Sequence, residues 1–535
     1  MVPNSRAILL AAGAITGWLP AVVFPGLDAR QDGRAQAIQR GKVVYEQNCA
    51  GCHGSEGRGD GPAATHLYPK PRDFSAGVFR ITSTSGSGLP SEADLLRTIT
   101  RGMPGSAMPG WDLLSEADRI DLAAFVQSIT GFYDLEEKKF FSFYEQAGEL
   151  KPLDVSPEPP STPESIARGK LVFRKAECWK CHGDEGRGDG PSAPTLRDHA
   201  GYPIPARDYT SGVFKGGSEP TELFKRVTLG MPGTPMPSHE QMLTPAERWD
   251  VVHFVLSMAR PGAQQMAEQR RRSITARRVK PAQEWNDPSS ELWNSLDPTY
   301  VALMPLWWRS KRVEGLLIRA AVDGERVYVN LQWEDPTENS TAVRPQDFRD
   351  AVAVQWARNS TAPFIAMGAG VEDVNIWMWK ADKEVEGRER PDVHTVYPNM
   401  DIMAYPEVEG WRPGEDENVK RALAEMGPRG ASGWQAGNPV SEPRPQSSAE
   451  NLAARGFSTL RALPTVSTKV RGKGAWAKGV WRVVLSREIA AAGPQEAPIA
   501  LGTHIPFAFA VWDGSAADRN GQKSITIWHD LEIPR

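Results

Sequence analysis

Several features that define other protein classes are missing from this sequence of 535 residues. No apolar run beyond the N-terminus is long enough to span a membrane. No histidine pair has zinc-binding spacing, no glycine-rich loop lies between a strand and a helix to hold phosphate, and no Ser-His-Asp order stands out. Lysine and arginine total 62 against 66 aspartates and glutamates, and this net charge of −4 gives no support for nucleic-acid binding.

The N-terminus carries the one markedly apolar run. Arg6 precedes apolar residues from 7 to 19, which continue more loosely to 24. This pattern is typical of an export signal, and we expect residues 1–29 to be a signal peptide, or an uncleaved anchor. The sequence therefore predicts a periplasmic protein.

Cysteine is scarce, and all four cysteines lie in two C-x-x-C-H motifs, at residues 49–53 and 178–182. This motif is typical of covalent c-type haem attachment, in which the thiols bond to the vinyl groups and the histidine binds the iron. A zinc knuckle or a bare dithiol is the alternative. The predicted haem c residues are Cys49, Cys52, His53, Cys178, Cys181 and His182.

The two motifs belong to a duplicated segment. The glycine-rich run after the first histidine, residues 54–62, returns at 183–191, and the Gly-Met-Pro-Gly run at 102–105 returns at 230–233. The offset is about 129 residues, which indicates tandem domains rather than a solenoid. The glycine-rich run is predicted to wrap the haem edge.

Each repeat is predicted to begin and end in a helix. Ser115 and Thr244 resemble the caps of the last helices. Gly41 and Gly169, in the first helices, are expected to let the first and last helices cross closely.

This layout resembles class I cytochromes c, in which a methionine before the last helix binds the second face of the iron. The resemblance implies Met108 and Met236 as those ligands, with Met103 and Met231 as alternatives. His/Met ligation raises the haem potential and closes the iron to substrate, so both haems are expected to carry electrons.

The C-terminal region differs in character, because 14 of the 18 tryptophans lie from residue 285 onward. Residues 327–333 alternate apolar and polar side chains, as in a half-buried strand. Asp323-Gly324 predicts a hairpin turn just before them. Many short strands with glycine turns predict an antiparallel sandwich.

This region resembles the haem-binding gamma subunits of ethylbenzene dehydrogenase, and the same domain type in dimethyl sulfide dehydrogenase, selenate and chlorate reductases and nitrite oxidoreductase. The stretches that carry the resemblance include 321–324, 331–335, 348–355, 367–368, 374–380, 479–483 and 507–514.

The resemblance implies one non-covalent b haem held between a methionine and a lysine, matched here by Met367 and Lys523. Met400, Met403 and Lys380 are rivals. Aromatic side chains of this region are expected to line an apolar pocket that lowers the lysine pKa.

The predicted fold is multidomain: two all-α cytochrome c domains followed by an all-β antiparallel sandwich. The predicted boundaries are 1–29 for the signal peptide, 34–135 and 163–260 for the cytochrome domains, 136–162 for a proline-rich linker, 261–284 for a polar linker, and 285–535 for the sandwich with an insertion near 407–450.

The sequence thus predicts a periplasmic electron-transfer protein with two c haems and one b haem. It is expected to act as the gamma-like subunit of a molybdopterin oxidoreductase, with molybdopterin and iron–sulfur subunits as partners and a soluble or membrane electron acceptor or donor. Catalysis by this chain alone is not expected. The alternative is a dihaem cytochrome tethered to a carbohydrate-binding-like sandwich without a third haem.

Overall fold

The computed structural model describes residues 25–535 apart from 87, 310, 360–361, 364, 366, 369–373, 387–390, 392–395, 400–446, 464–469 and 490–492. Residues 1–24 of the predicted signal peptide, the rivals Met400 and Met403 and nearly all of the predicted insertion therefore lie outside the described residues. In the described part, no helix has the length and apolar character needed to cross a membrane.

The first repeat is built mainly of helices, and a short hairpin follows them. Its haem motif lies directly after the long first helix, on the short helix α2. The elements are α1 (Pro25–Asn48), α2 (Ala50–His53), α3 (Glu92–Arg101), α4 (Glu116–Ser128), β1 (Gly131–Asp134), β2 (Lys139–Ser142) and α5 (Phe143–Ala147).

The second repeat has the same order of helices around its own motif. A short helix then leads towards the β-rich region. The elements are α6 (Pro163–Lys175), α7 (Trp179–His182), α8 (Pro220–Leu229), α9 (Pro245–Ser257) and α10 (Ala263–Ala267).

The first and last helices of each repeat cross at a glycine, as the sequence predicts. A Cβ added to Gly41 would lie 2.0 Å from the carbonyl oxygen of Asp121, and one added to Gly169 would lie 1.9 Å from that of Asp250. Only glycine permits so close an approach between backbones. Both last helices also begin at predicted caps, with Ser115 accepting from Asp118 N–H and Thr244 forming a capping box with Glu247.

The proline-rich segment between the repeats is extended but is not a free spacer. The N–H of Leu153 donates to the carbonyl of Ser83 in the first repeat at 2.7 Å. Three residues later, Ser156 Oγ accepts from the indole of Trp249 in the second repeat at 3.0 Å. Because the segment is bound to both repeats, it fastens them together.

Beyond residue 270 the chain forms two sheets. In the first, the strand order is β12-β11-β10-β9-β15-β16-β6, with β17 pairing β15 and β3 pairing β17. In the second, it is β13-β14-β8-β7-β4, with β5 pairing β7. The elements are β3 (Ser273–Thr275), β4 (Arg277–Arg278), β5 (Thr299–Ala302), β6 (Met304–Pro305), β7 (Gly315–Val322), β8 (Arg326–Glu334), β9 (Ala351–Ala357), β10 (Val374–Lys380), α11 (Ala381–Glu386), β11 (Ala449–Ala454), β12 (Arg461–Ala462), β13 (Arg471–Ala477), β14 (Val480–Glu488), β15 (Thr503–Trp512), β16 (Ser524–Ile525) and β17 (His529–Ile533).

The two sheets pack against each other around one large apolar core. Val329 and Leu331 of one sheet and Val354, Trp356 and Trp377 of the other belong to this core. The predicted hairpin at Asp323-Gly324 joins β7 to β8. Strand β8 is buried on both faces rather than half-buried, because short helical turns cover its outer face.

The expected order of helical domains followed by a β-rich region is confirmed, but two details differ. The pairs β3–β17 and β4–β7 are parallel, so the sheets are mixed rather than purely antiparallel. Both parallel strands come from residues 261–284, the predicted polar linker, which therefore adds a strand to each sheet. The hairpin β1–β2 adds a small sheet to the first repeat.

Candidate haem-binding sites

The first C-x-x-C-H motif presents its histidine in a form suited to binding iron. His53 Nδ1 lies 2.9 Å from the carbonyl oxygen of Arg72, which accepts its hydrogen bond when the ring hydrogen is on Nδ1. That tautomer leaves the Nε2 lone pair for a metal. Burial lowers the pKa of His53, which keeps the imidazole neutral, and the ring stacks on Phe74 at 4.6 Å between centroids.

The second motif repeats this geometry closely. His182 Nδ1 lies 3.0 Å from the carbonyl oxygen of Arg207, and the ring stacks on Tyr209 at 4.4 Å. Burial lowers the pKa of His182 to about 4. Each imidazole is thus fixed by the backbone of the arginine that occupies the matching position in its own repeat.

The loops that carry the predicted distal ligands also match. Met103 N–H donates to the carbonyl of Met108 at 3.0 Å, and Met231 N–H donates to that of Met236 at 3.2 Å. Met103 and Met108 both line the cavity beside His53, so the choice between them stays open.

The zinc alternative finds no support in the arrangement of ligand atoms. Among the described residues, the only three or more His, Cys, Asp or Glu ligand atoms close enough for one ion belong to Asp335, Asp350 and Asp513, which lie in the β-rich region.

A cavity of about 830 Å³ begins at the first motif and continues to the β-rich region. In the β-rich region, the outer face of the first sheet forms the floor of this cavity. Ala351 and Ala353 of β9 and Ala508 and Ala510 of β15 line it, while the residues between them point into the core. Small side chains on neighbouring strands leave a flat apolar floor that suits a planar macrocycle.

Met367 and Lys523, the predicted b-haem ligands, both line this cavity. Met367 has a φ of +64°, an uncommon backbone conformation for a residue other than glycine. Burial lowers the pKa of Lys523 to about 8, and its Nζ lies 4.8 Å from the ring centroid of Trp512. A neutral amine is the form that can bind iron.

The rival Lys380 also reaches the cavity, but its Nζ forms an ion pair with Glu450 at 2.7 Å. Sequence reasoning missed two further methionines on the cavity wall, Met304 and Met378. Met378 lies directly opposite Ala353 in the β9–β10 pairing, a placement that the alternation along the strand could have revealed.

Aromatic side chains border the β-rich half of the cavity as expected, at Phe348, Phe457, Phe509 and Trp512, but most tryptophans of this region lie elsewhere. Trp333, Trp356, Trp377, Trp379 and Trp481 fill the core between the sheets. In the β-rich half of the cavity, Trp512 is the only tryptophan on the wall among the residues that the structure describes.

Basic side chains cluster where the two repeats meet. Arg72, Arg80 and Lys215 line the cavity of the first repeat, although Lys215 belongs to the second. Arg80 pairs with Asp198 at 3.0 Å. Burial, followed by the nearby charges of Arg207, Arg80 and Arg72, lowers the pKa of Lys215 well below its usual value.

Comparison with known proteins agrees with this division of the chain. The cytochrome c family model matches residues 38–130 and 166–259, and the ethylbenzene dehydrogenase family model matches residues 285–524. The chain joins two cytochrome c domains to an ethylbenzene dehydrogenase domain. We call these the first cytochrome domain, the second cytochrome domain and the β-domain.

The similar proteins match only part of this chain. The putative respiratory nitrate reductase heme subunit ORF7 of Haloferax mediterranei is 27% identical over 285 residues, which is 52% of this chain and 79% of that protein. The chlorate reductase subunit gamma of Ideonella dechloratans is 24% identical over 256 residues, 46% of this chain and 79% of its own length.

Among solved structures, a chain of the Kuenenia stuttgartiensis reducing HAO-like protein complex Kustc0457/Kustc0458 is 41% identical. It aligns with 41% of this chain and 96% of its own, at a TM-score of 0.38.

Proposed function

We propose that this chain is a periplasmic electron-transfer protein with two covalent c haems and one b haem, and that it serves as the haem subunit of a molybdopterin-dependent oxidoreductase. The observation that carries the proposal is the cavity that runs from His53 to Met367 and Lys523. A haem held by these residues supplies an iron that exchanges one electron at a time.

The c haems would be bonded to Cys49 and Cys52 in the first cytochrome domain and to Cys178 and Cys181 in the second. His53 and His182 would bind the iron through Nε2, since Nδ1 of each faces a backbone carbonyl. Met108 and Met236, or their loop neighbours Met103 and Met231, would close the other face and exclude exogenous ligands.

The b haem would lie on the outer face of a β-sandwich formed by the two sheets. Met367 and Lys523 would bind its iron, and the alanines of β9 and β15 would contact its plane. Deprotonation of Lys523 costs less free energy here than deprotonation of a lysine in water, because the apolar surroundings disfavour its charged form.

The basic cluster fits the propionate groups of the first c haem. Arg72, Arg80 and Lys215 bring three basic side chains to one cavity wall, and the described contacts supply Asp198 as the carboxylate that pairs with Arg80. Buried charges are stabilised when they are paired, so an anionic group in this cavity offsets their desolvation.

The proposed partners follow from the relatives, which are named as subunits of a nitrate reductase and a chlorate reductase. We expect the native protein to co-purify with a molybdopterin subunit and an iron–sulfur subunit. Isolation of the native protein only as a free monomer, under conditions that preserve related complexes, would contradict this part of the proposal.

Haem analysis of the purified protein tests the cofactors. A pyridine haemochrome assay is expected to give two c haems for each b haem, with the b haem alone extracted by acidic acetone. Lys523→Met and Met367→Ala are expected to remove or retune the b haem and to leave the c haem content intact.

Lys380→Met is the matched control, because this lysine lines the same cavity but is already paired with Glu450. Loss of b haem from the control, with full b haem in the Lys523 variant, would exchange the two assignments. A wild-type protein with c haem alone would rule out the third haem.

The proposed location is tested independently. Cell fractionation is expected to place the haem-loaded protein in the periplasmic fraction, and the mass of the mature chain is expected to lack the residues removed with the signal. A haem-loaded cytoplasmic protein with an intact N-terminus would contradict this location.

A further inference from the structure

We infer that the first cytochrome domain, and not the second, is the direct redox neighbour of the b-haem site in the β-domain. The inference rests on the proposed function. It runs against the order of the chain, in which the second cytochrome domain directly precedes the β-domain. The spatial order that we assign is β-domain, first cytochrome domain, second cytochrome domain.

The shared cavity is the first support for this order. One continuous space is bordered by the haem motif of the first domain and by the Met367 and Lys523 wall of the β-domain. Among the described residues of the second domain, Lys215 alone lines it, and Lys215 faces the first domain's basic cluster. In the part of the chain that the structure describes, the first motif and the β-domain's predicted ligands therefore border the same space.

A backbone junction holds the two walls of this cavity together. Tyr68 N–H donates to the carbonyl of Leu306 at 2.8 Å, and Trp308 N–H donates to the carbonyl of Tyr68 at 2.7 Å. In turn, Leu306 N–H donates to the carbonyl of Lys523 at 2.9 Å. The loop that follows the first haem motif is thus linked through one strand segment to the predicted b-haem ligand.

Side chains reinforce this junction. The rings of Tyr68 and Trp307 lie 5.2 Å apart, and Lys70 Nζ lies 5.8 Å from the Trp307 ring centroid. His66 stacks on Phe457 of the β-domain at 6.4 Å. Aromatic and cation–π contacts of this kind fix the relative orientation of the surfaces that they join.

The second domain offers an internal comparison. Its counterpart of the Tyr68-Pro69 pair is Tyr202-Pro203, and the Tyr202 side chain is 45% exposed. The second domain instead packs on the first, where Arg97 contacts Glu222 and Arg101 pairs with Glu219 at 2.5 Å. Just after the second domain, Arg260 pairs with Glu314 of the β-domain at 3.2 Å, and both of these side chains are exposed.

The spin relaxation of the ferric b haem in the intact, haem-loaded protein tests this order. A neighbouring paramagnetic ferric haem speeds that relaxation, and the effect falls steeply with distance. We compare Cys49→Ala/Cys52→Ala, which lacks the first c haem, with Cys178→Ala/Cys181→Ala, which lacks the second. We expect relaxation to slow several-fold in the first variant and to change little in the second.

Loss of the b haem from the first variant alone would also support the inference, because it would show that the b site needs the first domain as a wall. Slower relaxation only in the variant that lacks the second c haem would overturn it, and so would equal effects in both variants. A wild-type protein without b haem would instead refute the proposed function, and the haem assay detects that case separately.

A second pair of variants keeps every haem-binding residue. Tyr68→Ser combined with Trp307→Ser removes the contacts of Trp307 with Tyr68 and Lys70 from the junction, and Tyr202→Ser is the matched control in the second domain. We expect slower b-haem relaxation in the double variant and wild-type relaxation in the control, with c and b haem contents unchanged in both. Unaltered relaxation in the double variant would contradict the assigned junction.

Discussion

The two cytochrome domains have nearly the same interior and very different surroundings. In both, the histidine faces an arginine carbonyl and the first and last helices cross at a glycine. The loop after the first motif pairs with the β-domain through Tyr68, whereas the matching Tyr202 is largely exposed. Duplication therefore preserved the site that holds a haem, while the surface of each copy determines which neighbour that site faces.

The largest expected effect comes from removing the cysteine pair of one haem motif at a time. Replacing both Cys49 and Cys52 by alanine is expected to halve the c haem content, and replacing both Cys178 and Cys181 is expected to do the same, because each pair bonds one haem. Pyridine haemochrome analysis and the protein mass measure the loss. Full c haem content in either double variant would contradict covalent attachment at that motif.

The second prediction concerns the helix crossings that the domains share. Gly41→Ala is expected to destabilise the first domain by about 1–3 kcal/mol, because the new methyl group overlaps the Asp121 carbonyl. Gly169→Ala is expected to have the same effect on the second domain. Urea denaturation, followed by the haem absorption of single-haem variants, measures each.

Gly33→Ala is the control for these substitutions. Gly33 lies on the same helix as Gly41, but nothing lies within 4 Å of a Cβ added there. In an exposed helix position this change is expected to be neutral or to stabilise by about 0.5–1 kcal/mol. Equal effects of Gly33→Ala and Gly41→Ala would show that the crossing is not tightly packed.

Much of this comparison could be predicted from sequence because it depends on local spacing. The motif at 49–53, its repeat and the crossing glycines are all short-range patterns, and the structure places them as expected. The same holds for the hairpin at Asp323-Gly324, where turn chemistry is local. The ligand assignments at all three proposed haem irons stay predictions.

The junction could not be predicted, because it depends on contacts between segments far apart in the chain. Nothing near Tyr68 indicates that Leu306 and Trp308 will pair with it. The alanine floor could have been predicted, since Ala351 and Ala353 alternate with bulky core residues. The parallel edge strands were harder to predict, because Ile274 and Ala276 are the only apolar residues of 273–278 and the stretch before them is polar and arginine-rich.

The third prediction concerns how the stability of the β-domain depends on pH. Burial raises the pKa of Asp335 to about 6 and that of Asp350 to about 7. The folded state then binds more protons than the unfolded state between about pH 4 and 7, so the free energy of unfolding falls as pH rises through this window. Thermal unfolding from pH 4 to 8, with a chelator present, measures the trend.

Asp335→Asn is expected to flatten this trend, because an amide does not titrate. Asp347→Asn is the control, since Arg344 lowers the pKa of Asp347, which therefore acts in the opposite direction. A Tm that stays constant or rises between pH 4 and 7 in the wild-type protein would contradict the cause that we assign.

The smallest expected effect tests the contact between the cytochrome domains. Lys215→Met removes a basic side chain from the wall of the first haem cavity. Where the haem propionates keep this lysine protonated, its loss favours the ferric state. The potential of the first haem is expected to fall by on the order of tens of millivolts, where 59 mV corresponds to a tenfold change for one electron. Spectroelectrochemical titration of the Cys178→Ala/Cys181→Ala background isolates that haem.

Lys170→Met, on the exposed face of a second-domain helix, is the matched control and is expected to leave the potential unchanged. Equal potentials in the two variants would exclude an electrostatic role for Lys215.

One wall of the cavity beside the first haem motif is formed by residues that come late in the chain. Ala508 and Lys523 stand opposite a motif that begins at Cys49, more than 450 residues earlier in synthesis. In the periplasmic export that we propose, the N-terminal part emerges first, so its thiols are open to haem attachment before the β-domain has folded beside them. Under this proposal, covalent attachment of the first c haem precedes the formation of β15 and β16, and the exchangeable b haem binds last.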